Sequence, residues 1–249
     1  NNPNLAPEES DNTNIGLIWT PNDNFNLKFD YWAIDYTDLI TIESAQGKVA
    51  ANPLDPDVKR TVDGTLTGVT TSYFNAASVD TNGFDLEMTY DFDTSLGSAQ
   101  VGLKSMHMLQ YKVPLQTGST ADVVGLFNHD NFARSLPETK MVLHAGLENG
   151  NHSAVAFGRY VSDYETTRPL DATATSRGFS NNIDSFFSVD VKYSYKFDMD
   201  DSNLRLTLGM TNVFDKEVPE VYDGVNFSYD PKHHDPRGRM VYIGLKYSK

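Results

Sequence analysis

Thr211–Lys249 reads TNVFDKEVPEVYDGVNFSYDPKHHDPRGRMVYIGLKYSK. An alternating strand ends near Val213–Phe214. A long polar loop rich in Asp, Asn, Gly, Pro and Tyr follows. Asp235-Pro236-Arg237-Gly238-Arg239 then leads into a last alternating strand, Met240 to Tyr247. Side chains alternate sides along an extended chain. Val241, Ile243, Leu245 and Tyr247 therefore share one face, and Tyr242, Gly244 and Lys246 share the other. An apolar face backed by small and polar residues suits the lipid-facing wall of a β-barrel.

The same period of two recurs upstream. Phe25, Leu27, Phe29 and Tyr31 alternate with Asn26, Lys28 and Asp30, in a strand expected to run to about Ile42. Phe84, Leu86, Met88 and Tyr90 alternate with Asp85 and Glu87. Phe187, Val189, Val191, Tyr193, Tyr195 and Phe197 alternate with Ser188, Asp190, Lys192, Ser194 and Lys196, the cleanest case in the chain. Weaker segments lie at Ile15–Trp19, Ala99–Tyr111, Met141–Leu147 and Leu204–Met210. In the return strand marked by Val155, Phe157 and Val161, those residues are expected on the lipid face, which Arg159 breaks.

About nine strands result, and their connections alternate short and long. Outer-membrane barrels have short periplasmic turns and longer extracellular loops; a soluble β-sandwich has no physical reason for that regularity. The long loops are 43–77, 112–138, 162–182 and the stretch after Phe214. Long loops are commonly functional. Glu148-Asn149-Gly150-Asn151 is expected to be a tight hairpin turn, because Asn-Gly supplies positive φ cheaply. The fold class expected is all-β, an antiparallel transmembrane barrel portion whose chain begins outside and ends in the periplasm. Nine antiparallel strands cannot close on themselves with antiparallel pairing, so a larger barrel is expected.

Composition agrees. The 249 residues are 39% hydrophobic and 12% aromatic, with no cysteine and no apolar run long enough for a transmembrane helix. With 20 Lys+Arg against 34 Asp+Glu, the net charge is -14. Such a chain is a poor nucleic-acid binder, because neutralising phosphates takes clustered cations. Asn1-Asn2-Pro3 has neither the basic nor the apolar region of a signal peptide.

Several motifs, in order, resemble TonB-dependent outer-membrane receptors: Asn2–Ser10 (NPNLAPEES), Ala77–Phe84 (ASVDTNGF), Asn212–Glu217 (NVFDKE) and Asp235–Arg239 before a closing aromatic strand. The resemblance spans nearly the whole chain. It implies that residues 1–249 are the C-terminal portion of a plugged, 22-stranded barrel. The plug, the TonB-contacting segment and the signal peptide would lie upstream. It also implies outer-membrane localisation among lipids, TonB as partner through the plug, and active transport of a scarce nutrient (an iron-siderophore, haem or oligosaccharide) held by extracellular loops. One departure is that Tyr247 is followed by Ser248 and Lys249, whereas barrels of this family usually finish on an aromatic. Alternatives from other classes are a passive pore or structural barrel, and a soluble β-rich adhesin or binding module.

The residues give no reason to expect an enzyme or a cofactor. Cys nucleophile, GxSxG, phosphate-binding glycine loop and HExxH are all lacking. His107, His144, His152 and His129 are scattered, as lumen or interface residues would be. Tyr229–Asp235 gathers His233 and His234 between Asp230 and Asp235. Those are metal-ligand types, but adjacent side chains rarely hold an ion without distant partners, so a hydrogen-bonded loop is expected and no metal site is assigned. Aromatics in the long loops are the ligand-binding candidates, by stacking on sugars or capping a chelate: Tyr73, Phe74, Phe127, Phe132, Phe179, Tyr222, Phe227 and Tyr229, with His233 and His234. Loop packing is the competing role. Asp235, Pro236, Arg237, Gly238 and Arg239 form a structural motif in which both arginines are expected to pair with lumen carboxylates such as Asp190. Trp19, Trp32 and Tyr247 are expected in an interfacial girdle, and Lys192, Lys196 and Arg205 in the lumen.

Overall fold

A computed structural model describes residues 2–75, 78–114, 120–128, 133–222 and 228–249. Nine long strands run β1 (Glu9–Asn22), β2 (Phe25–Thr37), β3 (Ser78–Thr94), β4 (Gly97–Pro114), β5 (Thr139–Asn149), β6 (His152–Val161), β7 (Phe186–Met199), β8 (Ser202–Thr211) and β9 (Met240–Ser248). Each pairs antiparallel with its sequence neighbours in one sheet, and the short strand Thr120–Asp122 extends the sheet beside β4. The connections at 23–24, 95–96, 150–151 and 200–201 have two residues each, while 38–77, 115–138, 162–185 and 212–239 are long. The alternation read from sequence is therefore present. The sheet is a barrel wall that does not close within these residues. No helix among the described residues is long and apolar enough to cross a membrane.

Register shows why this is a wall rather than a sandwich. Leu204, Leu206, Leu208 and Met210 of β8 pair with Tyr247, Leu245, Ile243 and Val241 of β9. On the other side, Leu208 and Met210 pair with Tyr193 and Val191 of β7. The face is continuous and apolar, yet Val241, Ile243, Leu245 and Tyr247 are 71%, 69%, 71% and 63% exposed. Leaving one such side chain in water forgoes roughly 1.5–3 kcal/mol, so lipid is the solvent that makes this face stable. Toward one end it carries an aromatic girdle. Trp19 meets Phe25 edge-on at 5.5 Å, Tyr90 stacks on Phe92 at 5.4 Å, and Tyr195 contacts both His152 at 4.7 Å and Phe197 at 4.6 Å. These residues lie beside the two-residue turns.

Three strand readings are corrected. β1 begins at Glu9, because its polar half, Glu9–Asn14, pairs with Thr37–Trp32 although it has no apolar alternation. β2 stops at Thr37: Asp38 has φ 54°, which breaks the extended chain, and Ile40–Ile42 turns away to pair with Tyr73–Asn75. In β6, Val155, Phe157 and Val161 share the lumen face with Arg159, which pairs with Asp190. The lipid face is the small series Ala154, Ala156 and Gly158 with Tyr160. The hairpin after β5 is centred on Gly150–Asn151, with Gly150 at φ 56°. Trp32 is also corrected. It shares a face with Lys28 and Asp30, in the lumen, and covers Gly83, where an added Cβ would sit 2.7 Å from its ring.

Candidate functional site

Described segments of the long connections build a cap above the wall. Leu126–Phe127 pairs antiparallel with Ser135–Leu136 and parallel with Tyr164–Thr166, which pairs with Asn182–Ile183. Val161, Tyr164, Ile183 and Val221 form a buried cluster beneath this small sheet, with Phe127 packed against it. Loops after β4, β6 and β8 thus share one core.

A buried carboxylate joins them. Asp230 is fully buried and His234 nearly so. Asp230 Oδ2 accepts from the Ser135 hydroxyl and from Tyr164 Oη at 2.9 Å, while Oδ1 accepts from the Lys232 amide at 3.0 Å. Its carbonyl accepts from the amides of His233 and His234 at 3.3 and 3.1 Å. The His234 ring stacks on Tyr164 and meets Phe186 edge-on at 5.1 Å, with Nε2 3.3 Å from Tyr164 Oη. His233 Nε2 lies 3.3 Å from the Ser135 carbonyl. Among the described residues, Nδ1 of both histidines is buried without a hydrogen-bond partner.

Burial sets the protonation states. It pushes His234 down to about 4 against the opposing pull of Asp230, and it lowers His233 as well. Burial, then the Asp230 charge, raises the Tyr164 phenol. Near neutral pH the cluster therefore holds neutral histidines and a protonated tyrosine around one carboxylate. Among the described residues, no three His, Asp or Glu side chains are placed to hold a metal ion.

The other candidates fall into separate groups. Phe179 and Tyr222 meet at 5.3 Å; the Arg168 guanidinium lies 5.2 Å from the Tyr222 ring, and the Tyr222 hydroxyl donates to Asp171 at 3.2 Å. Two loops contribute to this cluster of two aromatics and a cation. Tyr73 and Phe74, 54% and 40% exposed, sit on the separate ribbon of the first long loop. Tyr229 is half-buried beside Asp230. Phe127 serves the cap core. Phe132, Phe227 and His129 lie outside the described residues.

Asp235–Arg239 departs from expectation. Arg237 pairs with Asp235, donating from Nε at 2.9 Å to each oxygen, and holds that carboxyl below the usual range. Arg239 reaches Asp215 at 3.7 Å, and its amide donates to Asp215 Oδ1 at 2.7 Å. Asp190, the partner expected for these arginines, is taken by Arg159 and by the Asn212 amide at 2.9 Å. Asp235 lies in the same turn as Arg237, and Asp215, just past the end of β8, is held beside Arg239 by the Arg239 amide, so both arginines are paired before they reach Asp190. Gly238 has φ 67°, which favours glycine.

Below the cap, the lumen face encloses a concavity of about 860 Å³, lined by charges that include Lys28, Asp30, Glu87, Lys104, Arg159 and Asp190, with His233 and Arg237 at its upper edge. Glu87 and Lys104 pair at 3.0 Å. Sequence reading placed the wall charges in the lumen but missed Ser135 and Tyr164. Neither has a local signal, since their partner Asp230 lies 95 and 66 residues away.

Comparison with known families matches the model "TonB dependent receptor-like, beta-barrel" over residues 1–213. The match contains the Asn2–Ser10 and Ala77–Phe84 motifs; Asp235–Arg239 lies beyond it. No curated protein sequence matches. Among solved structures, similar folds include the siderophore receptor PirA from Acinetobacter baumannii (17% identity, TM-score 0.62, 98% of this chain and 32% of that chain). The copper transporter OprC is similar at 15% identity and TM-score 0.62, over 98% and 32%. The ferric enterobactin receptor PfeA from Pseudomonas aeruginosa is similar at 17% and 0.61, over 96% and 31%. At these identities the likeness is one of fold. The chain spans about a third of the length of the structures it matches.

Proposed function

Because the chain belongs to the TonB-dependent receptor-like β-barrel family and so lies in the outer membrane, we propose that it is the C-terminal wall and loop cap of an active nutrient importer. A plug elsewhere in the polypeptide would occupy the lumen and couple to TonB. The cargo class is a scarce nutrient such as an iron chelate, haem or an oligosaccharide; no covalent chemistry and no resident cofactor are assigned. The observation that carries the reading is the junction of an oily wall with a cap in which three long loops share one buried core. A porin-like structural barrel has no need to fix its outer loops to one another, whereas a receptor must hold ligand-contacting groups in a defined geometry.

Within the cap, Phe179, Tyr222 and Arg168 offer ring faces and a guanidinium suited to planar or sugar-like ligands. Tyr73 and Phe74 offer a second exposed pair. The test is uptake of labelled ferric chelates, haem and oligosaccharides by cells carrying the full-length receptor, with TonB present or deleted. Saturable uptake lost without TonB is expected. Equal, non-saturable uptake in both strains would replace the importer with a passive pore.

A further inference from the structure

The oily face of the wall has a recess in it. Ala154 of β6 lies between its register partners Leu147 of β5 and Tyr193 of β7, and Ala156 lies between Ala145 and Val191. These side chains enclose an apolar space of about 490 Å³ on the lipid side, floored by the alanines and walled by Leu147, Val191 and Tyr193. Of the nine long strands described, only β6 presents Ala or Gly at three successive lipid-facing positions, 154, 156 and 158. The two ends of this slot differ. At the upper end the Phe187 ring lies against Gly158, where an added Cβ would meet it at 2.9 Å, so the slot stops there. At the lower end, beside the two-residue turn, stands His152, exposed on the same face. Its Nδ1 is 2.6 Å from Tyr193 Oη, and the Tyr195 ring meets the imidazole edge-on at 4.7 Å. Two tyrosines hold the ring in place, while Nε2 has no partner among the described residues.

We propose that this recess binds one phospholipid of the periplasmic leaflet, with an acyl chain along β6 and the phosphate at His152. The recess opens onto the membrane interface that the wall already forms, so hydrocarbon is what meets it. Ala154 to Gly158 spans roughly 14 Å of extended chain, and half of an apolar band about 25 Å tall is roughly 12 Å, so the slot takes the chain of a single leaflet. Its polar mouth selects that leaflet. Short turns lie on the periplasmic side of such barrels, and Phe187 closes the approach from the other side. With Tyr193 Oη donating to Nδ1, the ring proton sits on Nε2 and donates to a phosphate oxygen. The lipid-facing positions of β5 to β7 carry no Lys, Arg, Asp or Glu. That suits a zwitterionic headgroup and gives the several phosphates of a lipopolysaccharide no cation to pair with. The inference needs only the barrel and its membrane, so it holds for an importer and for a pore alike.

The full-length receptor is purified in a mild detergent, and the lipids it retains are counted by native mass spectrometry. The wild type is expected to keep phospholipid through detergent exchange, and the double variant Ala154→Leu, Ala156→Leu, which fills the recess, should keep one molecule fewer per barrel. His152→Phe retains a ring between the tyrosines but loses the donor. After delipidation it should need about fivefold more added dioleoyl phosphatidylethanolamine than the wild type to regain that molecule, the effect of one hydrogen bond. Ala33→Leu, on the lipid face of β2, should match the wild type in both measurements. Equal phospholipid counts in the filled variant and the wild type would overturn the proposal, as would a wild type that keeps none and takes none up. So would finding that the molecule displaced is a lipopolysaccharide, or that the filled variant loses a dimer instead of a lipid. Heat-modifiable mobility confirms that each variant has folded.

Discussion

The wall and the cap solve opposite problems. The wall exposes its apolar side chains and buries few of them; its outer residues from β7 to β9 stay open to the surroundings. The cap is built like a soluble protein, with Val161, Tyr164, Ile183 and Val221 packed out of water and a carboxylate satisfied among them. The wall therefore depends on its solvent and on register, and the cap on a few long-range contacts. Substitutions should fail differently in the two, and the predictions below rank those failures.

The largest effect is expected from a charge on the lipid face. Ile243 pairs with Leu208 in the middle of the outer ladder. Ile243→Lys should cost about 2–4 kcal/mol if it lies near the bilayer midplane. The adjacent lumen position, Thr207→Lys, should cost far less. Urea unfolding of the full-length receptor in lipid vesicles measures both. Equal costs would mean that the two faces are not lipid and lumen.

The cap should yield next. Asp230→Ala strips acceptors from the Ser135 and Tyr164 hydroxyls inside the cluster. Leaving a buried donor unmade costs about 1–3 kcal/mol. Proteolysis and amide exchange in 120–128 and 162–185 should rise together, while heat-modifiable migration of the barrel is unchanged. If one segment loosens without the other, the loops do not share a latch.

Acid should reach the same cluster without mutation. A histidine free of the fold takes its proton near 6.5, whereas burial holds His234 down to about 4. Between those values the opened cap binds more protons than the closed one, so stability is complete above about pH 6.5 and declines as pH falls to about 4. The loss from this group reaches at most about 3 kcal/mol. Exchange of the cap amides should accelerate over that window in the native receptor. The acceleration should be much weaker in His234→Phe, which keeps the ring between Tyr164 and Phe186.

What was legible in the sequence follows the same division. Alternation is local, so Phe187–Phe197 and Val241–Tyr247 disclose a wall by themselves. It misled where the lipid face is made of small residues: Ala154, Ala156 and Gly158 carry less apolar signal than Val155 and Phe157, so the face of β6 was inverted. The polar start of β1 has no alternation, and only pairing with β2 reveals it. The cap was visible as residue types without roles. His233, His234 and Asp230 stand together in sequence, but their partners Ser135 and Tyr164 are brought to them by the wall's register, which no local pattern encodes.

The smallest effect is expected at Arg237. Its bidentate pair with Asp235 is well formed but largely exposed, with side chains 65% and 54% accessible. Exposed ion pairs contribute roughly 0–1 kcal/mol, and the partners are two residues apart, so closing the pair orders little chain. Arg237→Ala should barely shift unfolding, and high salt should erase even that. Gly238→Ala next door should cost more, about 1 kcal/mol, because φ 67° is strained for any side chain and the added Cβ meets Asp215 Oδ1 at 2.9 Å. The ordering of these neighbours separates two roles for the Asp235–Arg239 turn. If Gly238→Ala is the worse, the turn is a backbone device that aims β9. If Arg237→Ala is the worse in the full-length receptor, the guanidinium is engaged by something inside the lumen, and the upper edge of the concavity becomes a contact surface.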